Sequence, residues 1–323
     1  MEGVKDTPSM VEGLAAETKE GAGNRDQFPD RLKRYGIAKK RALAISDYIR
    51  EYQPDHSKLY LAIRDCGSWL RFRDYYTVGE IRLAGACFCK KHLLCPLCAI
   101  RRGSKHLSRY IDRFQAVITE RPVLTAYLVT LTVKDGPDLA ERFNHLQKSV
   151  QQLHKRRHSP RVISSASLAS GAVWSYEVKR GKGSAIWHPH VHAIWLCEVP
   201  PDPAALSSEW HKITGDSYIV DVRPIDQENP VTGFLEVFKY AVKFSDQPEA
   251  DTWHCYDTLK GKRLVGSFGD FFGIPEPDEL TDDPLEGLPY VDYFYHYIPS
   301  AGYCPGPHPC ADLPEPSRCP AGA

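Results

Sequence analysis

The sequence predicts an α+β fold: an antiparallel sheet in the split-βαβ order with its helices on one face, preceded by a segment stapled by cysteines. Three observations carry that expectation. The second half of the chain orders its elements as βαββαβ and then α. Five of ten cysteines (Cys66, Cys87, Cys89, Cys95, Cys98) crowd one region. Hydrophobic residues make up 42% of 323, enough for a buried core. No apolar run approaches the roughly 20 residues that a bilayer span needs, and the acidic opening segment lacks the apolar stretch of a signal peptide, so the expected location is the cytoplasm.

Taken in order, residues 1–30 are Gly-rich and polar without apolar periodicity and are expected to be disordered. A second region, 31–120, opens with helical spacing from Tyr35 to Tyr52, stopped by Pro54. Three β-like runs follow: KLYLAI (58–63), WLRFR (69–73) and EIRLAGACF (80–88). Beyond the cysteines, residues 96 to 118 read as a helix with Pro at its start, carrying Arg101, Arg102, Lys105, Arg109 and Arg113.

The third region, 121–250, holds the more regular half. Tyr127–Val133 reads as a strand, Asp138–Arg157 as an amphipathic helix, and Gly171–Lys179 and Ser184–Cys197 as strands joined around Gly181. A helix at Pro203–Ile213, a strand at Ser217–Arg223 and a last helix at Val231–Phe244 complete it. In this topology the first and third strands lie together in the middle. The fourth region, 251–323, is acidic and Pro-rich beyond Asp270 and is expected to pack poorly.

The formal net charge of zero hides an asymmetry. Residues 82–121 hold nine Lys and Arg against two acids, whereas residues 270–323 hold one Arg against ten acids. A basic helix beside a metal cluster suits phosphate contacts by Arg101, Arg102, Lys105 and Arg109. The alternatives are a solvated helix face or pairing with the acidic C-terminal region.

The strongest local signal is Trp187-His188-Pro189-His190-Val191-His192. Strand alternation puts the three imidazoles on one face, and neighbours about 6.7 Å apart can reach one ion, whereas His188 and His192 at about 13 Å cannot both do so. One metal therefore takes His190 with one neighbour. A carboxylate would complete a site for a hard divalent ion acting on phosphate, and Glu177 on the preceding strand is the best candidate. A symmetrical hairpin about Gly181 and Lys182 would set Glu177 opposite Ile186, so a bulge or longer turn is needed. On the last helix, Glu236, Tyr240 and Lys243 fall at i, i+4 and i+7 and share one face, an exposed Tyr between an acid and a base. Such a Tyr can attack a metal-polarised phosphate, the Lys can stabilise charge on phosphate or phenolate, and the Glu can activate water.

Read in order, Leu128-Val-Thr-Leu-Thr-Val133, His188-Pro-His-Val-His192 and Glu236-x-x-Lys239-Tyr240-x-x-Lys243 resemble the three motifs of the rolling-circle plasmid replication initiators, within the His-hydrophobe-His (HUH) endonucleases. The cysteine region resembles the zinc-binding segment upstream in that family, so the resemblance spans about Tyr60 to Asp246. It implies a ferredoxin- or RRM-like nicking domain that binds double-strand origin DNA and single-stranded DNA and uses Mn²⁺ or Mg²⁺. The product would be a 5′-phosphotyrosine and a free 3′-hydroxyl primer. By the same resemblance His190 and His192 are metal ligands, Tyr240 is the nucleophile and Glu236 the base for the terminating hydrolysis. The single tyrosine favours the plasmid class over paired-tyrosine transposases. A host helicase, the host replication machinery and a dimer are the further partners expected. The rivals are an HUH transposase or relaxase, and a non-catalytic zinc-dependent DNA-binding regulator.

The knuckle Cys95-Pro-Leu-Cys98 with ligands upstream reads as a structural Zn²⁺ site of Cys66, Cys89, Cys95 and Cys98, stapling a hairpin to the basic helix. The family leaves four residues before the knuckle where this chain has five after Cys89, so Cys87 and His92 stay open as substitutes. Cys197 and Cys255 read as core residues. Cys304, Cys310 and Cys319, with His308, receive no assignment.

Overall fold

The computed structural model describes residues 10–18, 23–159, 163–181 and 184–307. In chain order its elements are α1 (Met10–Glu17), α2 (Phe28–Tyr52), α3 (Ser57–Asp65), β1 (Trp69–Tyr75), β2 (Glu80–Ala86) and α4 (Pro96–Glu120). Then come β3 (Thr125–Thr132), α5 (Leu139–Arg156), β4 (Ala169–Arg180), β5 (Trp187–Cys197), α6 (Pro203–Thr214), β6 (Val220–Pro224), α7 (Val231–Phe238) and α8 (Tyr240–Ser245). The chain continues through α9 (Glu249–Leu259), β7 (Val265–Gly269), β8 (Val291–Ile298) and β9 (Gly302–Gly306). The fold is α+β, with two antiparallel sheets.

Two compact units form, one from residues 1–101 with 278–323 and the other from residues 102–277. The division therefore falls elsewhere than the expected boundaries at 120/121 and 250/251. The physical reason is strand pairing: β8 lies antiparallel to β1, so the acidic C-terminal region expected to pack poorly supplies two strands of a sheet in the order β2-β1-β8-β9.

In the first unit, the buried face of that sheet meets α2, where Phe28 stands edge-on to Phe72 and Tyr295 at 4.8 and 5.5 Å. Residues 58–63 are helical, not a strand. A short apolar run does not reveal its period, and here Ile63 is buried while the Ser46 hydroxyl on α2 donates to the Tyr60 carbonyl. Residues 10–17, expected to be disordered, also form a helix. Glu17 is buried there and bonds Arg31 at 2.9 Å, Arg101 at 2.8 Å and the Tyr35 hydroxyl at 2.7 Å. Asp282 closes the cluster with 2.9 Å to Arg31 and 2.5 Å to Arg101, and accepts from the Leu83 amide. Two buried guanidinium groups, the buried carboxylate of Glu17 and the half-buried one of Asp282 thus neutralise one another, without which either charge would be costly inside the fold.

In the second unit, the sheet order is β6-β3-β5-β4-β7, and β3 and β5 lie side by side as the split-βαβ reading expects. Helix α5 starts at Asp138, whose side chain accepts from the Glu141 amide, and buries Leu139, Phe143, Leu146, Val150 and Leu153 as one stripe. Helix α6 begins on Asp202 and Pro203 and stops at Gly215, whose φ of 71° no β-carbon favours. Strand β7, absent from the expected order, extends the sheet at β4. Phe234 and Phe238 of α7 pack on Phe114 and Tyr110 of α4 at 5.3 and 5.0 Å. The expected single last helix is broken at Lys239, which ends α7 and precedes α8.

Candidate metal centre and tyrosine helix

Strand register brings the three expected ligands together. Glu177 on β4 lies directly opposite His190 on β5, and Lys179 opposite His188, because the loop at residues 181–186 is longer than a two-residue turn. His190 and His192 point to the same side, with ring centroids 4.8 Å apart. Glu177 is 0% exposed. Its Oε1 lies 3.4 Å from His190 Nε2 and its Oε2 lies 3.6 Å from His192 Nε2. Oε2 is buried without a hydrogen-bond partner, a place where a bound cation satisfies an otherwise orphaned acceptor. Burial alone would raise the Glu177 carboxyl. The nearby rings of His190 and His192, with the charge of Lys243, hold it well below the usual carboxylate range.

The other ring nitrogens are also engaged. His192 Nδ1 meets the Thr130 hydroxyl at 3.0 Å, and His190 Nδ1 meets the His188 carbonyl at 3.3 Å. That arrangement leaves Nε2 of each ring for a metal, in the manner of outer partners that fix histidine tautomers. Burial lowers the His192 pKa, which keeps the ring neutral. Thr130 was not singled out among the candidates, although its pairing opposite His192 on the neighbouring central strand follows from the topology. His188 itself turns to Asp135 at 2.6 Å, and Glu177, His190 and His192 form the three-ligand group.

The last two helices contribute in a different way from the face expected. Lys243 donates to Glu177 Oε1 at 2.7 Å, so it balances the carboxylate. Glu236 pairs with Lys239, stays one-third exposed and acts electrostatically on His192. Tyr240, expected to be exposed, is only 4% exposed. Burial pushes its phenol up to about 12 against the nearby charge of Arg102, which pairs with Glu276. Tyr240 thus lies buried while Lys243, three residues on, reaches Glu177.

In the first unit, Cys66, Cys89, Cys95 and Cys98 converge. Cys66 and Cys98 sulfurs lie 3.5 Å apart, Cys66 and Cys95 3.5 Å, and Cys89 and Cys98 3.7 Å. Four sulfurs at about 2.3 Å from one Zn²⁺ in a tetrahedron would be about 3.8 Å apart, so the donor set fits that ion. Hydrogen bonds with Cys66, Cys95 and Cys98 pull the Cys89 thiol down, while the crowded sulfurs hold Cys95 and Cys98 well above their ordinary values. Such a cluster ionises fully when a cation neutralises it. Cys87 is exposed and stands outside the group, and Cys197 and Cys255 are buried core residues. Cys304 sits on β9, whereas His308, Cys310 and Cys319 lie outside the described residues.

The basic helix differs most from expectation. Arg101 is 2% exposed and held by Glu17 and Asp282, so it cannot reach a phosphate. Arg102 is taken by Glu276, Arg109 donates to the Pro275 carbonyl at 2.9 Å, Arg121 pairs with Asp270 at 2.9 Å, and Lys105 is half-buried. The acidic C-terminal region is thus the counter-charge of this helix. Among the described residues, no helix is long and apolar enough to cross a membrane.

The model of a family described as "Replication protein" matches residues 80–288, well over half of the chain. A "Protein rep" of Streptococcus pneumoniae is 28% identical over 247 residues, covering 71% of this chain and 75% of that protein. A "Protein rep" of Lactiplantibacillus plantarum is 26% identical over 206 residues, covering 58% and 63%. A third, from a Bacillus species, is 24% identical over 252 residues, covering 67% and 79%. No solved structure matches the chain. The matched span runs from β2 through the cysteine knuckle, the histidine strand and the tyrosine helix, and the chain belongs to this replication-protein family, the initiators of rolling-circle plasmid replication.

Proposed function

We propose that the chain initiates plasmid replication by nicking one strand at a double-strand origin, with Tyr240 as nucleophile. The observation that carries this reading is the convergence of Glu177, His190 and His192 beside the helices that bear Glu236, Tyr240 and Lys243. A Mn²⁺ or Mg²⁺ ion held by Glu177, His190 and His192 would polarise the scissile phosphate. The chain's own residues do the rest. Thr130 and the His188 carbonyl fix the two rings, and Lys243 offsets the charge of Glu177. The Tyr240 oxygen bonds to phosphorus, the bond from phosphorus to the 3′-oxygen breaks, and the phenolic proton ends on the departing 3′-hydroxyl. Because burial keeps the phenol protonated, substrate must draw Tyr240 out of its buried position before it attacks. Glu236, partly exposed, then takes a proton from the water that hydrolyses the phosphotyrosine. Zn²⁺ on the four cysteines has a structural role.

The test is cleavage of supercoiled origin plasmid with Mn²⁺. Tyr240→Phe should abolish the covalent adduct and leave DNA binding unchanged, whereas Glu236→Ala should nick once and accumulate adduct. Undiminished adduct in Tyr240→Phe would overturn the assignment. The burial of Tyr240 favours one second reading, a non-catalytic zinc-dependent DNA-binding regulator, which would leave origin plasmid intact under every condition.

A further inference from the structure

The cations of α4 are engaged within the chain, so a DNA surface has to be sought elsewhere. In the first unit, one side of α2 and the β8–β9 hairpin enclose a groove of about 460 Å³. Its floor is apolar and aromatic: Leu32 and Ile37 from α2, with Tyr297 and Pro299 from the hairpin. Lys33 and Lys40 stand on its α2 side, both exposed, and among the described residues neither has an ion-pair partner and no lining residue is acidic. Seven residues of helix separate them, about 10 Å along the axis. At Gly36, between them, an added β-carbon would meet nothing within 4 Å, so the groove is open at its centre.

We infer that this groove binds a strand of single-stranded DNA, an unstacked base lying on Tyr297 and the backbone running past Lys33 and Lys40. Charge complementarity selects a polyanion. The apolar floor selects a single strand, because a duplex keeps its base faces stacked and offers phosphates that need no such floor. The floor is braced by the backbone at Cys66 and Gly67. Lys39 lies 6.0 Å over the Tyr297 ring and donates to the Cys66 carbonyl at 2.7 Å, and the Tyr303 hydroxyl donates to the Gly67 carbonyl at 2.6 Å. Gly67 itself adopts a φ of 64° at the point where Tyr303 comes close. The inference rests on the replication reading for its ligand class but not on the nicking step.

Fluorescence anisotropy of a labelled oligothymidine against the full zinc-loaded chain tests it. Lys33→Ala with Lys40→Ala should weaken binding about tenfold and lower the slope of log K against log salt by about 1.4, two phosphates at roughly 0.7 each. Gly36→Leu fills the groove without changing charge, and should weaken binding with the slope unaltered. All three positions are exposed or half-exposed on a helix, and circular dichroism and zinc content will verify folding. Unchanged affinity and slope in the double variant would overturn the proposal. So would a chain ending at residue 307 that binds several-fold tighter and becomes lysine-dependent only then, since the C-terminal segment would be the occupant. Tyr240→Phe, run in parallel, should retain lysine-dependent binding, so failure of the nicking reading leaves this result standing.

Discussion

Two small hydrogen bonds decide which nitrogen His190 and His192 would offer a metal. Thr130→Val removes the partner of His192 Nδ1 while keeping the strand's shape, and should weaken Mn²⁺ binding about 10-fold, in the range seen for outer partners of metal ligands. Calorimetric titration with Mn²⁺ checks it, and unchanged affinity would show that packing alone orients the ring. Arg101 makes the opposite case. Arg101→Ala should destabilise the first unit by about 3–5 kcal/mol, because Glu17 and Asp282 are left buried with one guanidinium fewer. Chemical denaturation measures that loss, whereas Arg109→Ala, on the exposed side, should cost under about 1 kcal/mol. Glu177, His190 and His192 were legible from sequence because alternation along two paired strands fixes their face. The fate of Arg101 was not, because its partner Asp282 lies 181 residues away and carries no local signal. The burial of Tyr240 was hidden for a related reason: the i, i+4, i+7 spacing assumes a continuous helix, and the turn at Lys239 breaks that assumption.

Among the elements, the knuckle and the histidine strand carry two candidate metal groups of different character. Four cysteines in a closed, largely buried cluster would hold Zn²⁺ tightly, while two imidazoles and one carboxylate would leave open positions for a labile hard ion. Dialysis against EDTA should therefore stop nicking and Mn²⁺ should restore it, while about one zinc per chain persists by elemental analysis. Changing Cys95 and Cys98 together to Ser should release that zinc and loosen α3, β1 and β2, which the cluster joins to the start of α4. Most of these elements were readable, the split-βαβ order above all, because periodicity and turn residues agree there. The run at 58–63 was not, since six residues are too few to separate periods of 2 and 3.6, and packing on α2 settles the matter.

For the whole molecule, the chain returns on itself: residues 278–307 complete the unit that residues 10–101 begin. A chain ended near residue 290 would lose β8 and β9, leave β1 as a bare edge and bare the aromatic packing around Phe72, so it should aggregate and lose zinc. The same unit should be acid-labile. Glu17 and Asp282 have folded pKa values below their ordinary 4.5 and 3.8, because pairing with Arg31 and Arg101 outweighs the effect of burial. Their contribution is complete above those ordinary values and is lost as pH falls below them. Thermal melts should thus be flat between about pH 6 and 8 and fall below about pH 4.5, with Glu17→Gln less stable at neutral pH and less sensitive to acid.

The central claim, that Tyr240 attacks DNA, is tested most directly by mapping the adduct. Origin plasmid is nicked with Mn²⁺, the complex digested with protease and nuclease, and the nucleotide-bearing peptide sequenced by mass spectrometry. A single modified peptide is expected, with the 5′-phosphate on Tyr240. A phosphate on any other residue, or nicked DNA with no attached peptide, would contradict it.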